Sequence, residues 1–112
     1  MRQPMLNRRL TLQDLVRSPD GAGGYTETWA PLGNLWAQVR ALSGREGEMD
    51  HAKLSKVGYD ITVRSAPFDA PSRPKPEQRL VEGTRIFRIH AVTERDTSGR
   101  FLICKASEEV AT

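Results

Sequence analysis

The chain has 112 residues, 38% hydrophobic and 28% charged, with Lys+Arg 17 against Asp+Glu 14 for a net charge of +3. That composition excludes a disordered tail, a chain of two domains and the dense basic footprint of a dedicated DNA binder, and it leaves one domain able to bury roughly two thirds of its unfolded surface. The single cysteine, Cys104, excludes an internal disulfide, no Cys/His set has metal-ligand spacing, and no apolar run approaches the ~20 residues that cross a bilayer, so a soluble, cytosolic product without membrane contact is expected.

Taken in chain order, the apolar period is two rather than 3.6. Leu10 and Leu12 alternate with Arg9, Thr11 and Gln13. The run Ser18-Pro19-Asp20-Gly21-Ala22-Gly23-Gly24 is a flexible turn leading to Tyr25–Trp29, which predicts a long hairpin arm. Leu35, Ala37, Val39 and Ala41 alternate with Trp36, Gln38 and Arg40. From Ser43 to Val57 the alternation stops, and Ser43 and Glu46 have capping-box spacing, so a short helix or ordered loop is expected. Tyr59, Ile61 and Val63 alternate with Asp60, Thr62 and Arg64. Ala66–Pro76 holds Pro67, Pro71, Pro74 and Pro76 and must run over the surface or project from it. Two strands follow, Thr84–Glu94 and Arg100–Lys105, joined by a turn ending at Gly99; Phe87, Ile89 and Ala91 should face one way and Arg88 and His90 the other. The acidic end, Glu108–Thr112, should fray.

Five or six short strands with long loops predict an all-β fold, a small antiparallel β-barrel or sandwich with one short helical segment. A single domain, 1–112, is expected, with flexible ends at 1–6 and 107–112.

The inventory for chemistry is empty. His90 lacks a nucleophile or carboxylate partner in its own motif, and Cys104 in Phe101-Leu102-Ile103-Cys104 reads as a buried small hydrophobe. Glu46, Glu48 and Asp50 are an acidic trio, but Arg45, His51, Lys53 and Lys56 neutralise them and the calcium-loop pattern is absent. No Gly-Lys-Ser/Thr follows the glycines after Asp20, so that segment is a turn rather than a phosphate cradle. No residue is therefore a candidate for catalysis, cofactor binding or metal binding. Trp29 and Trp36 flank Pro31 and Gly33 on what reads as one interrupted strand, where core or edge packing competes with a stacking platform for single-stranded nucleic acid. Arg73, Lys75, Arg79, Arg85 and Arg88 form the densest basic stretch, either a solvated loop or a positive rim facing an acidic partner or DNA phosphates.

The order of these features resembles the phage head-tail joining proteins, also called head-closure or stopper proteins. The resemblance rests on Asn7-Arg8-Arg9-Leu10-Thr11-Leu12-Gln13, on the glycine-rich hairpin Asp20–Trp29 with its Thr28-Trp29 pair, and on Leu35-Trp36-Ala37-Gln38-Val39 leading into Leu42-Ser43-Gly44-Arg45-Glu46. Tyr59–Arg64, Thr84–Val92 and Phe101–Lys105 complete it, so it spans Asn7 to Lys105. The loop from Ser65 to Gln78 departs from the family's pattern in its length and proline content.

The resemblance implies a homo-oligomeric ring below the portal and adaptor proteins of a tailed phage or a phage-like gene transfer particle. Such a ring would retain double-stranded DNA without sequence specificity and dock a tail terminator or tail tube, assembling in the bacterial cytoplasm and ending at the neck. The channel-plug loop would contain Ser43, Gly44, Arg45, Glu46, Glu48, Asp50, His51, Lys53 and Lys56. Interface candidates are Asp20, Gly21, Gly23, Gly24, Pro67, Arg73, Pro74, Lys75 and Pro76. No cofactor and no enzyme activity are implied. The alternatives are a tail terminator or other neck protein and, from a different class, a small barrel that binds single-stranded nucleic acid.

Overall fold

The computed structural model describes residues 3–42 and 57–109. Six antiparallel strands close into a barrel: β1 (Arg8–Pro19), β2 (Tyr25–Ala41), β3 (Gly58–Arg64), β4 (Arg79–Glu82), β5 (Arg85–Glu94) and β6 (Phe101–Glu109), in the spatial order β1-β2-β3-β6-β5-β4. The all-β barrel predicted from the alternation is therefore the observed fold. The expected helical segment falls on residues outside the described ones.

Period-two patterning explains the filling. Leu10 and Leu12 of β1, Ala37 of β2, Tyr59, Ile61 and Val63 of β3, Leu80 of β4, Phe87 and Ile89 of β5, and Leu102, Cys104 and Ala106 of β6 form one core cluster. Each fully buried Leu, Ile or Phe contributes about 1.5–3 kcal/mol, whereas an exposed ion pair contributes about 0–1 kcal/mol, so apolar packing holds the barrel closed.

Two irregularities break the alternation. Between Leu12↔Gly33 and Gln13↔Pro31 the β1–β2 register shifts, leaving Leu32 as the extra residue, and Gly33 adopts φ +143°, a backbone conformation that favours glycine. β4 pairs β1 only at Thr11–Gln13 and β3 pairs β2 only at Ala37–Ala41, so beyond the bulge Asp14–Pro19 and Tyr25–Ala30 continue as the two-stranded arm that the glycine-rich turn predicted. A second shift, between Ile89 and Ala91, inverts the parity of β5. Val92 rather than Ala91 packs against the core, correcting the face expected for Ala91.

Other departures concern lengths. β4, a four-residue strand with Leu80 and Val81 adjacent, shows no alternation long enough to read. β6 runs through Ser107, Glu108 and Glu109, where fraying was expected, because Ser107 pairs with both Gly58 and Arg88 and Glu108 with Phe87. The proline-rich loop follows the surface: backbone bonds Ala70 N–H to Pro67 O, Arg73 N–H to Ala70 O and Glu77 N–H to Ile89 O, at 2.9–3.1 Å, fold it against β5.

Candidate functional site

The antiparallel order sorts the loops to the two ends of the barrel. At one end lie Ala41, Gly58, Glu82, Arg85 and Glu109, so the chain leaves β2 and re-enters β3 there. Its base is closed by the Leu42 N–H donating to Gly58 O at 2.9 Å, and Val57 O accepts from Glu108 N–H at 3.3 Å. Every plug candidate from Ser43 to Lys56 lies outside the described residues.

Beneath that base the barrel end is filled by ions rather than hydrocarbon. Leu80, Phe87 and Ala106 point inward, so period two brings Glu82, Arg85 and Glu108 to the same side. Arg85 donates to both Glu108 oxygens, at 2.8 and 3.1 Å, and to the Tyr59 hydroxyl at 3.2 Å; that hydroxyl donates to Glu108 at 2.9 Å. Arg8 makes a two-point pair with Glu82, its Nε donating at 2.8 Å. The Arg85 hydrogen bonds hold the Glu108 carboxyl below its ordinary range, and Arg8 does the same for Glu82. Arg85 is raised in turn by Glu108, while Tyr59 is raised first by burial and then by its bond to Glu108. The result is a cross-linked floor under the loop's base.

The opposite end carries the arm, the loop 65–78 and the β5–β6 hairpin. At the arm's tip Asp20 Oδ1 accepts from the Ala22 and Gly24 amides at 2.8 and 3.0 Å, which lowers its carboxyl, while Gly21 and Gly23 take φ of +83° and +87°. Asp20, Gly21 and Gly23 are exposed there and Gly24 is half-buried. The arm is fixed farther down: Trp29 lies under Arg79 and Arg88, whose guanidinium carbons are 4.1 and 5.3 Å from its ring centre. Burial lowers the Arg79 pKa, and its Nε donates to Gln13 at 2.6 Å.

The proline-loop candidates divide. Pro67, Lys75 and Pro76 are exposed, whereas Pro74 is fully buried. Arg73 is half-buried; its guanidinium lies 3.9 Å over the Phe68 ring and donates to Ala66 O at 2.7 Å. Trp36, expected in the core or along an edge, is 57% exposed because it shares the outer face with Arg9, its partner across β1 and β2. Trp29, half-buried and stacked with two arginines, is already engaged by the barrel wall.

His90 faces Ser107 Oγ at 2.7 Å. Cys104 is walled into the core, and burial pushes its thiol up to about 12. Among the described residues no group of three His, Cys, Asp or Glu side chains could hold a metal ion.

Sequence reasoning missed Arg64 and Arg100. They are distant in the chain, and only the pairing of Arg64 with Phe101 sets them side by side. The Trp29 clamp was half visible, since Arg79 and Arg88 belong to the basic stretch already singled out.

The sequence profile of a family described as phage head completion protein matches residues 1–109. Among solved structures, a chain of the virion of a native gene transfer agent particle is 49% identical, with a TM-score of 0.80, over 98% of this chain and 100% of that one. A protein of Shigella flexneri 2a, solved in solution, is 24% identical with a TM-score of 0.72 over the whole of both chains, which bears on the fold alone. No curated protein matches the chain.

Proposed function

This chain belongs to the phage head completion protein family, a structural protein of phage-like particles, and from that membership we propose that it closes the neck. In this reading, copies form a ring below the portal and adaptor proteins, retain packaged double-stranded DNA, and offer a docking surface to the tail.

The observation that carries the reading is the hydrogen-bonded pair Leu42 and Gly58, set at one barrel end above the Arg8–Glu82 and Arg85–Glu108 pairs. A loop that obstructs a channel needs an anchor that does not yield under pressure from one side, and a closed barrel with a cross-linked floor supplies it. Retention is steric in this scheme. A net charge of +3 is too small to grip a duplex that must later leave. Ring contacts are heterologous, so the two ends of the barrel are free to meet different neighbours along the axis.

Replacing residues 43–57 by a short Gly/Ser link is expected to give filled heads that leak DNA or lack tails, scored by electron microscopy and nuclease protection of packaged DNA. Normal, tailed, DNA-filled particles from a deletion of the gene would sink the closure reading. Locating the protein on isolated particles separates a stopper, between adaptor and tail, from a tail terminator, which caps the tail tube.

A further inference from the structure

A shallow, open cleft of about 540 Å³ lies at the barrel end opposite Ala41 and Gly58, between the loop 65–78 and the β5–β6 hairpin. Arg64, Arg73 and Arg100 line it against one carboxylate, Glu94, so its lining carries 3 − 1 = +2. The pairing of Arg64 with Phe101, together with the Ser65 N–H donating to Arg100 O at 2.9 Å, places two of these arginines on adjacent strand ends.

Their state differs from that of the arginines held in ion pairs. Arg8, Arg17, Arg40, Arg85 and Arg88 each face a carboxylate. Arg64 makes only a 5.8 Å stacking contact on Phe101, and Arg100 helps hold the Asp96 carboxyl low from a distance. Neither forms an ion pair among the described residues. Beside them Phe68 is 78% exposed, yet its ring is held flat by Arg73 at 3.9 Å. An aromatic kept rigid in water next to unpaired guanidinium groups is the composition of a binding hot spot.

We propose that this cleft docks an acidic peptide segment of a neighbouring protein of the particle, its carboxylates meeting Arg64 and Arg100 and one apolar side chain covering Phe68. That the neighbour is a particle protein rests on the neck reading above; the chemistry of the cleft does not. A duplex fits less well. Its phosphates would meet the arginines but offer nothing to the Pro67–Phe68 wall.

The test is an NMR titration of the ¹⁵N-labelled full chain with a short peptide of alternating glutamate and leucine, its glutamine counterpart, and a short DNA duplex. The acidic peptide should shift the Ser65, Phe68, Gly99 and Arg100 amides, bind more weakly as salt rises, and lose at least about tenfold in affinity with R64Q/R100Q. Phe68→Ala should weaken it by a smaller factor while leaving the spectrum of the core unchanged. The glutamine peptide should leave those amides in place. Binding that survives R64Q/R100Q, a duplex that moves the same amides at lower concentration, or the same shifts on concentrating the protein alone would each overturn the proposal. In particles, R64E/R100E should leave heads without the next component. Normal particles from that variant would remove the cleft from the docking surface, while a defect in the gene deletion would still uphold closure.

Discussion

Arg79 lies over Trp29 with its guanidinium carbon 4.1 Å from the ring centre, and this contact ties a strand of the arm to the outer wall of the barrel. The arm's outer residues Thr26, Glu27 and Thr28 are exposed. Trp29→Ala is therefore expected to cost about 1–2 kcal/mol in denaturant unfolding and to speed amide exchange from Asp14 to Ala30 while the β3 and β6 amides stay protected. Unchanged exchange in the arm would mean that the two-strand ladder alone holds it.

The ionic floor gives the stability a pH signature. Glu108, held down chiefly by Arg85, and Glu82, held down chiefly by Arg8, both have folded values below the ordinary carboxylate range. Their contribution is present above the unfolded value of about 4.3 and disappears as pH falls through the lowered folded values. Tyr59 is raised, first by burial, so its share is present below about 10 and is lost as pH climbs past the raised value. Glu108→Gln should cost about 1 kcal/mol at neutral pH and flatten the acid limb of a pH–stability curve. Tyr59→Phe should flatten the alkaline limb instead. An acid limb unaltered by Glu108→Gln would move the linkage to other carboxylates.

Gly33 at φ +143° marks the point where the arm leaves the barrel. Open space surrounds a Cβ built there, so the cost of a side chain is backbone strain rather than collision. Gly33→Val is expected to lower stability by about 1–3 kcal/mol, read as an earlier urea midpoint with an unchanged slope. A wild-type midpoint would show that the bulge relaxes freely.

Cys104 should report global opening of the barrel. With its thiol pushed up to about 12 by burial, the folded protein should resist alkylation at mildly alkaline pH and react only after denaturation. Labelling well below the unfolding midpoint would reveal a local opening of β6.

The large exposed apolar side chains are scattered from the arm (Val16, Tyr25) through Trp36 on β2 to Val57 and Phe68 at opposite barrel ends, rather than gathered in one patch. Sedimentation at micromolar concentration should therefore give a species near 12.5 kDa, with rings forming only on an assembled template. A stable ring of purified protein would reverse that expectation.

The amino-acid sequence by itself determined the all-β class, the arm, the inward faces of β1, β3 and the first half of β5, and the burial of Cys104. All of these follow from a period of two residues and from glycine and proline, which act on their immediate neighbours. The same chain also carried, through short segments in order, its likeness to the head-joining family. Tertiary structure alone decided the rest. The bulges at Leu32 and near His90 invert side-chain parity without any local signal, which is how Val92 rather than Ala91 reached the core. Pro74 became buried because the proline-rich loop docks on β5, and Arg64 met Arg100 only through the β3–β6 register. Charge clusters assembled across strands depend on which residues closure of the barrel sets opposite each other, and sequence spacing carries no record of that.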